Sequence, residues 1–479
     1  MKKIIALAGL LSAALFTSAA EPVLTWQSKS PQELAKKLNT VLAQFPPENQ
    51  SASIMVMMGL AQFGYPAFPG VDAQASIAGE ILEDGTSVVA LKASGDSALA
   101  KNLSQSGEPR RIGEWLVFPG GVDEDKAKAV IASAGKPFDG DFSISFSASS
   151  VFSEEAPAEL KKYAAAVDSE ISELAISGEI GAENVSFTFS ALSKEGGEVR
   201  KMISSIRRAE RVDESKFLPK NAPLYMVSGC VLSREFGESA ANLIRKFVSD
   251  ETLKKLGIEK LEELIAPYPG EGTMACVMTG EKDVAAVVKT KATQAQMFAY
   301  EKTLLSLANA AFSDTGLEQN LALMEPSLNF SDALDSLRES EEGGMKIIEY
   351  SADGKLTVLT VENGFAVSVS SPDRERALSM LKTLRERVGS GKAAQDPLPD
   401  STGSADIIMR IKIPEIFFED SMPLAIKPFE MGIDANFKGE KAEARLYIPT
   451  KSLIDLFMAG SSAGGLLGQP LYQEPAGVQ

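Results

Sequence analysis

Gly364-Phe365-Ala366-Val367-Ser368-Val369 runs into Ser371-Pro372-Asp373-Arg374, and an earlier stretch, Gly113-Glu114-Trp115-Leu116-Val117-Phe118, runs into Gly121-Val122-Asp123-Glu124-Asp125-Lys126. Each reads as a strand, an acidic turn and then a helix: Glu375–Arg387 after the first, an Ala-rich helix after the second. Ser371 is a natural N-cap and Pro372 suits the first helical position. Acidic residues in both first turns suit the positive end of a helix dipole. One short pattern has been written twice.

Moving outward from this pair, further landmarks recur in the same order. Ala52–Gly59 and Ala222–Gly229 are short apolar runs that read as opening strands. Ala75–Leu82 with Ser87–Lys92, and Met274–Met278 with Val284–Lys289, read as hairpins, each followed by a helix, from about Asp96 and from about Thr293. Past the quoted stretches come alternating strands, Asp141–Phe146 and Asp406–Ile411. Each side then closes with a hairpin and a helix: Leu174–Ile180 against Val185–Phe189, and Met431–Phe437 against Ala442–Ile448. Alternation in Val185-Ser186-Phe187-Thr188-Phe189 marks a sheet with one covered face.

A shared order of elements predicts an internal duplication. The expected fold is α+β, with two related modules, each a mostly antiparallel sheet with helices packed on one face. The expected organisation is a signal peptide at 1–20, an N-terminal helical segment at 21–50, a first repeat at 51–210, a linker at 211–221, a second repeat with helical insertions at 222–460 and a flexible tail at 461–479. Leu34, Leu38, Val41 and Leu42 share one face of a helix over Ser30–Phe45. The insertions are expected at Phe236–Ala266 and Tyr300–Glu342.

Composition narrows the chemistry. The 479 residues hold 48 Lys+Arg against 65 Asp+Glu, a formal net charge of −17, no histidine and two cysteines, and 44% are hydrophobic. Without histidine, the commonest general base and metal ligand is absent, and Ser-His-Asp and Cys-His catalytic sites are excluded. The acidic balance argues against nucleic acid as a partner. Met1-Lys2-Lys3, the apolar run Ile4–Phe16 and Thr17-Ser18-Ala19-Ala20 form a secretory signal peptide with cleavage after Ala20. No later run reaches the length of a membrane-spanning helix. The protein is expected to be exported, periplasmic or secreted.

An oxidising compartment permits a disulfide between Cys230 and Cys276, although both read as strand interiors, where a cysteine is often a small buried hydrophobe. Ser379-Met380-Leu381-Lys382 has the Ser-x-x-Lys spacing of penicillin-recognising enzymes, but Ser327-Leu328-Asn329 precedes it and no Lys-Thr-Gly follows. Ser390-Gly391-Lys392 lacks the other residues of a phosphate loop. Asp123-Glu124-Asp125 lacks the spacing of a calcium loop and reads as a helix start. Phe63-Gly64-Tyr65-Pro66-Ala67-Phe68-Pro69-Gly70 differs from these. Its aromatics Phe63, Tyr65 and Phe68 and its prolines make either a partner-binding lip or a plug for the sheet. Phe417-Phe418 with Met422, Pro423, Ile426 and Phe429 offers the same choice.

The Gly-aromatic strand, acidic turn and helix at Gly113–Asp125 and Gly364–Arg374, with the alternating strands after them, loosely resembles exported envelope proteins of unknown function with a duplicated α+β unit. The resemblance spans most of residues 51 to 458, implies a non-catalytic envelope protein and carries over no site residues. The expected function is that of an exported, non-enzymatic envelope protein, with no cofactor, that binds a macromolecular partner, an unknown protein or envelope component, or assembles with itself. The alternative is a periplasmic carrier of a small apolar ligand held between sheet and helices, against Phe187 and Phe189.

Overall fold

The structure is a computed structural model that describes residues 22–47, 50–82, 85–146, 165–248, 250–255, 258, 261, 273–279, 283–313, 330–352, 354–413 and 428–455. The expected signal peptide and tail, and residues 417–426, lie outside the described residues.

The first strand, β1 (Pro22–Ser28), carries the β-branched and aromatic residues that suit a pleated surface. It lies inside the sheet, between β2 (Ile77–Leu82) and β6 (Phe142–Phe146). The other strands of this half are β3 (Ser87–Lys92), β4 (Arg110–Ile112), β5 (Trp115–Phe118), β7 (Ile171–Ile180) and β8 (Asn184–Ser193). Two short strands, β9 (Arg207–Arg208) and β11 (Cys230–Val231), pair separately. The later half holds β10 (Leu224–Ser228), β12 (Met274–Met278), β13 (Val284–Lys289), β14 (Arg338–Glu342), β15 (Met345–Ala352), β16 (Lys355–Glu362), β17 (Phe365–Ser371), β18 (Ile407–Ile413), β19 (Phe429–Lys438) and β20 (Lys441–Pro449).

These strands form an 18-stranded sheet whose pairings are antiparallel. Strands β8 and β20 meet in the middle, Asn184 opposite Pro449 through to Leu192 opposite Lys441. Outward from that seam one side reads β8, β7, β6, β1, β2, β3, β5, β4. The other reads β20, β19, β18, β10, β12, β13, β17, β16, with β15 and β14 added at the edge. The hydrogen bonds repeat as well. Asp141 Oδ2 accepts from Ile180 N at 2.7 Å and Asp406 Oδ2 from Phe437 N at 2.6 Å. The carbonyl of each aspartate accepts from the residue that follows β1 or β10, Lys29 N or Gly229 N, both at 2.8 Å.

Helices pack on the sheet from both sides. They are α1 (Pro31–Leu42), α2 (Gln50–Ala61), α3 (Ala98–Leu103), α4 (Glu124–Ala134), α5 (Glu198–Ser205), α6 (Arg234–Phe247), α7 (Asp250–Lys255), α8 (Gln294–Ser313), α9 (Phe330–Ser336) and α10 (Arg374–Ser390). Ala127 and Val130 of α4 pack on Ala78, Val88 and Ala90, while Ala100 of α3 packs on Leu91 and Leu116 from the opposite side. In the later half Leu381 and Leu384 of α10 lie on Val367 and Val369, and Met297 of α8 lies on Ala366 and Ile348 behind them.

Several expectations change. Helices pack on both faces of one continuous sheet rather than on one face of each of two sheets. Ala52–Gly59 is not a strand but most of α2, since its Met and Ala content supports a helix as well as its apolar run suggests a strand. The opening strand is β1, inside the segment expected to be helical, whose helix is α1 alone. Glu339–Glu342, inside the second expected helical insertion, belongs to the edge strand β14, where charge guards an open edge. Asp373 rather than Ser371 caps α10, its carboxylate accepting from Arg376 N at 3.0 Å.

The expected linker is packed. Glu214, Ser215, Phe217 and Leu218 are buried. Val212 N donates to Asp400 O at 2.8 Å, Lys220 N to Asp396 O at 2.7 Å and Leu398 N to Leu218 O at 3.0 Å, so residues 212–220 and 394–400 form a strap over β12 and β13.

Candidate functional site

The middle of the sheet holds a candidate surface. Strict alternation there makes its two faces chemically opposite. On one face the register places Phe142, Gly178, Phe187, Leu446, Ile433 and Met409 in a single cross-strand row. The next row holds Ile144, Ile176, Phe189, Ala444 and Ala435. These apolar side chains are half-buried rather than buried, and Phe189 is 47% exposed. Covering such a surface returns about 25 cal/mol per Å² of apolar area, so a contiguous exposed apolar face marks an interaction site more often than an accident of folding.

A second exposed apolar surface lies on α2. Ile54, Met55 and Met58 are 49, 65 and 69% exposed. Among the described residues no helix is long and apolar enough to cross a membrane.

The loop at 63–71 folds back on the protein. Phe68 is buried, with its N–H on Gly64 O at 2.7 Å. Gln32 of α1 donates to the carbonyls of Phe68 and Val71 at 3.3 and 3.0 Å, and the Tyr65 hydroxyl bonds to the Asn39 side chain. Tyr65 and Phe68 meet edge to face, 6.2 Å between centroids. Phe63 and Tyr65 keep partial exposure. Three aromatics that the sequence offered as either a lip or a plug are thus divided between core and surface.

Cys230 and Cys276 are both free thiols. Cys276 pairs with Met226 across β10 and β12, whereas Cys230 lies beyond the end of β10 against β9, so no bridge joins them. Burial raises the pKa of both thiols, which makes them poor nucleophiles. Ser379 and Lys382 lie exposed on the outer side of α10, Gly391 is that helix's left-handed C-cap, and Asp123 caps α4 with its carboxylate on Asp125 N at 2.9 Å.

Among the described residues two carboxyl groups have raised pKa values, Glu214 and Glu301, both chiefly through burial. They lie on opposite sides of the sheet, Glu214 beneath the strap and Glu301 on α8 beside Tyr350, so they do not form a paired acid and base. Sequence gave no warning of Glu214. It is fully buried, and Thr273 stands beside it without giving either carboxylate oxygen a bond of good geometry. The folded state therefore holds its proton above the ordinary carboxylate range. As pH rises through that range the unfolded chain releases the proton while the native state keeps it, so stability is greatest below it and declines until the raised value is passed. Glu214→Gln is expected to melt higher than the parent at about pH 8 and to lose that advantage near about pH 3, where both states of the parent are protonated. Equal gains at both pH values, read by thermal melts, refute this account.

No family model and no curated protein matches the chain. Among solved structures it is similar to TP0453. Crystal form III matches at 11% identity and a TM-score of 0.24, covering 53% of this chain and 98% of that one. Crystal form I matches at 11% and 0.23, covering 52 and 97%. At this level the likeness transfers no property.

Proposed function

We propose that this chain is an exported, non-enzymatic envelope protein, built from two copies of one α+β unit, that binds a macromolecular partner through the apolar face of its central sheet. One observation carries the reading: Phe189 stands 47% exposed in the middle of an apolar cross-strand surface. The mirrored strand order and the matching roles of Asp141 and Asp406 support the duplication. The Lys2-Lys3 start, the apolar run after it and the small residues before Glu21 support export. Self-assembly through sheet edges is less well supported, because β4 is three residues long and β14 is Arg-Glu-Ser-Glu-Glu.

Phe189→Ser is expected to cost only about 1 kcal/mol of stability, because about half of the residue is solvated already, and to abolish crosslinking of the protein to its envelope partner. Native mass spectrometry of the mature chain separates the carrier alternative. A bare chain agrees with partner binding. A small adduct that leaves on gentle activation, and that Phe189→Ser depletes, replaces this reading with the carrier.

A further inference from the structure

The opposite face of the same strands forms a trough between α4 and α10. Its floor follows two cross-strand rows. Thr25, Ser145 and Ser190 fall in one, and Ser143, Ser177 and Thr188 in the other. Two adjoining cavities, ≈ 400 and ≈ 500 Å³, occupy it and share Asp139, Ser177, Ser190 and Lys441 in their linings. Its span, six strands from β1 to β19, is about 24 Å at the usual strand spacing.

The trough's chemistry selects against ions. Its floor charges are already matched: Lys441 with Glu443 at 2.6 Å, Arg410 with Asp434 at 2.8 Å, and Arg445 with Glu179 at 3.1 Å. Lys136, Asp139 and Glu173 at the rim leave no cationic excess. The hydroxyls differ. Ser143, Ser177, Thr188 and Ser190 make no side-chain hydrogen bond within the described protein, and Thr25 and Ser145 share one at 2.7 Å with capacity to spare. Each floor strand is paired on both sides, so a peptide backbone finds no free edge to extend. What remains is recognition by side-chain hydroxyls and amides of a ligand rich in the same groups.

We propose that this trough binds an uncharged, hydroxyl-rich chain, a neutral glycan segment. The site is separate from the apolar face and does not depend on it. The full chain is applied to an array of neutral gluco-, manno-, galacto- and N-acetylglucosamine oligosaccharides beside anionic ones, and hits are titrated by calorimetry. The expected result is binding of a neutral chain with an affinity that is nearly constant from about 50 to about 500 mM salt, since no charge pairing is screened. Ser177→Leu with Ser190→Leu, which fills the floor, is expected to weaken it about tenfold or more, or about 1.4 kcal/mol, and Phe189→Ser to leave it intact. Thr188→Lys is a second, independent block should the double variant melt lower than the parent. Retention of no neutral chain, preference for anionic chains with salt-sensitive affinity, or equal binding by the blocked variants overturns the proposal.

Discussion

Phe217→Ala is expected to destabilise the protein by about 3–5 kcal/mol, the range for truncating a fully buried aromatic. Phe217 is 2% exposed, meets Phe365 edge to face at 5.6 Å between centroids, and belongs to the largest apolar cluster, with Val227, Val277, Val287 and Leu381. Its carbonyl accepts from Arg387 Nη1 at 3.1 Å, which ties the strap to α10. The alanine leaves a cavity that the surrounding strands, paired on both sides, relax into only in part. The comparison is Lys216→Ala, whose ammonium lies 5.0 Å above the same ring and whose loss is expected to amount to about 0.5–1 kcal/mol. Denaturant midpoints followed by circular dichroism measure both. A Phe217→Ala loss no larger than that of Lys216→Ala means that the strap is a surface linker after all.

Gly178→Val and Gly432→Val are expected to lose about 3 kcal/mol each, the upper part of the range for overpacking. Gly178 lies directly opposite Phe142, and Gly432 opposite Tyr447. In each pair the ring lies over the glycine, so that a new Cβ falls inside it. Retreat is restricted, since Phe142 is a neighbour of Phe187, 6.3 Å between centroids, and Arg410 lies 5.2 Å over the Tyr447 ring. Gly59→Ala is the opposite case. Nothing lies near its Cβ position in α2, and alanine is expected to gain up to about 1 kcal/mol of helix propensity. Thermal melts of the three variants check the contrast, and a neutral Gly178→Val refutes the ring-over-glycine account.

These glycines show what reading along the chain misses. In sequence a glycine within a strand weakens the strand, and the partner ring is 36 residues away from Gly178 and 15 from Gly432. Only the register brings the two together. Helix or strand was a harder choice for Ala52–Gly59. An apolar run of that length fits either state, and the deciding fact, that β1 already occupies the strand position beside β2, is a tertiary one. Strand β1 itself was hidden because it directly follows the expected cleavage site.

The inward fold of the aromatic loop was hidden for a similar reason. Its residue types suit an interface, but Gln32 and Asn39 of α1 hold it inward, and neither lies near it in sequence. Phe187 and Phe189 were legible as one apolar stripe of a strand. That Phe187 is half-buried while Phe189 stands exposed depends on which elements cover the middle of the sheet and which stop at its ends.

Sequence by itself determined the class of fold and the antiparallel hairpins, because alternation, turn residues and helix caps are local and each is written within a few residues. It also removed histidine-based chemistry outright. Tertiary structure alone decided that β8 and β20 join both halves into one sheet, that Val212, Glu214, Ser215, Phe217 and Leu218 are buried, and that the two faces of the middle strands diverge into an apolar surface and a hydroxyl-lined trough. Those features depend on which distant strands pair, and pairing is settled by the burial of whole faces rather than by any one segment's preference.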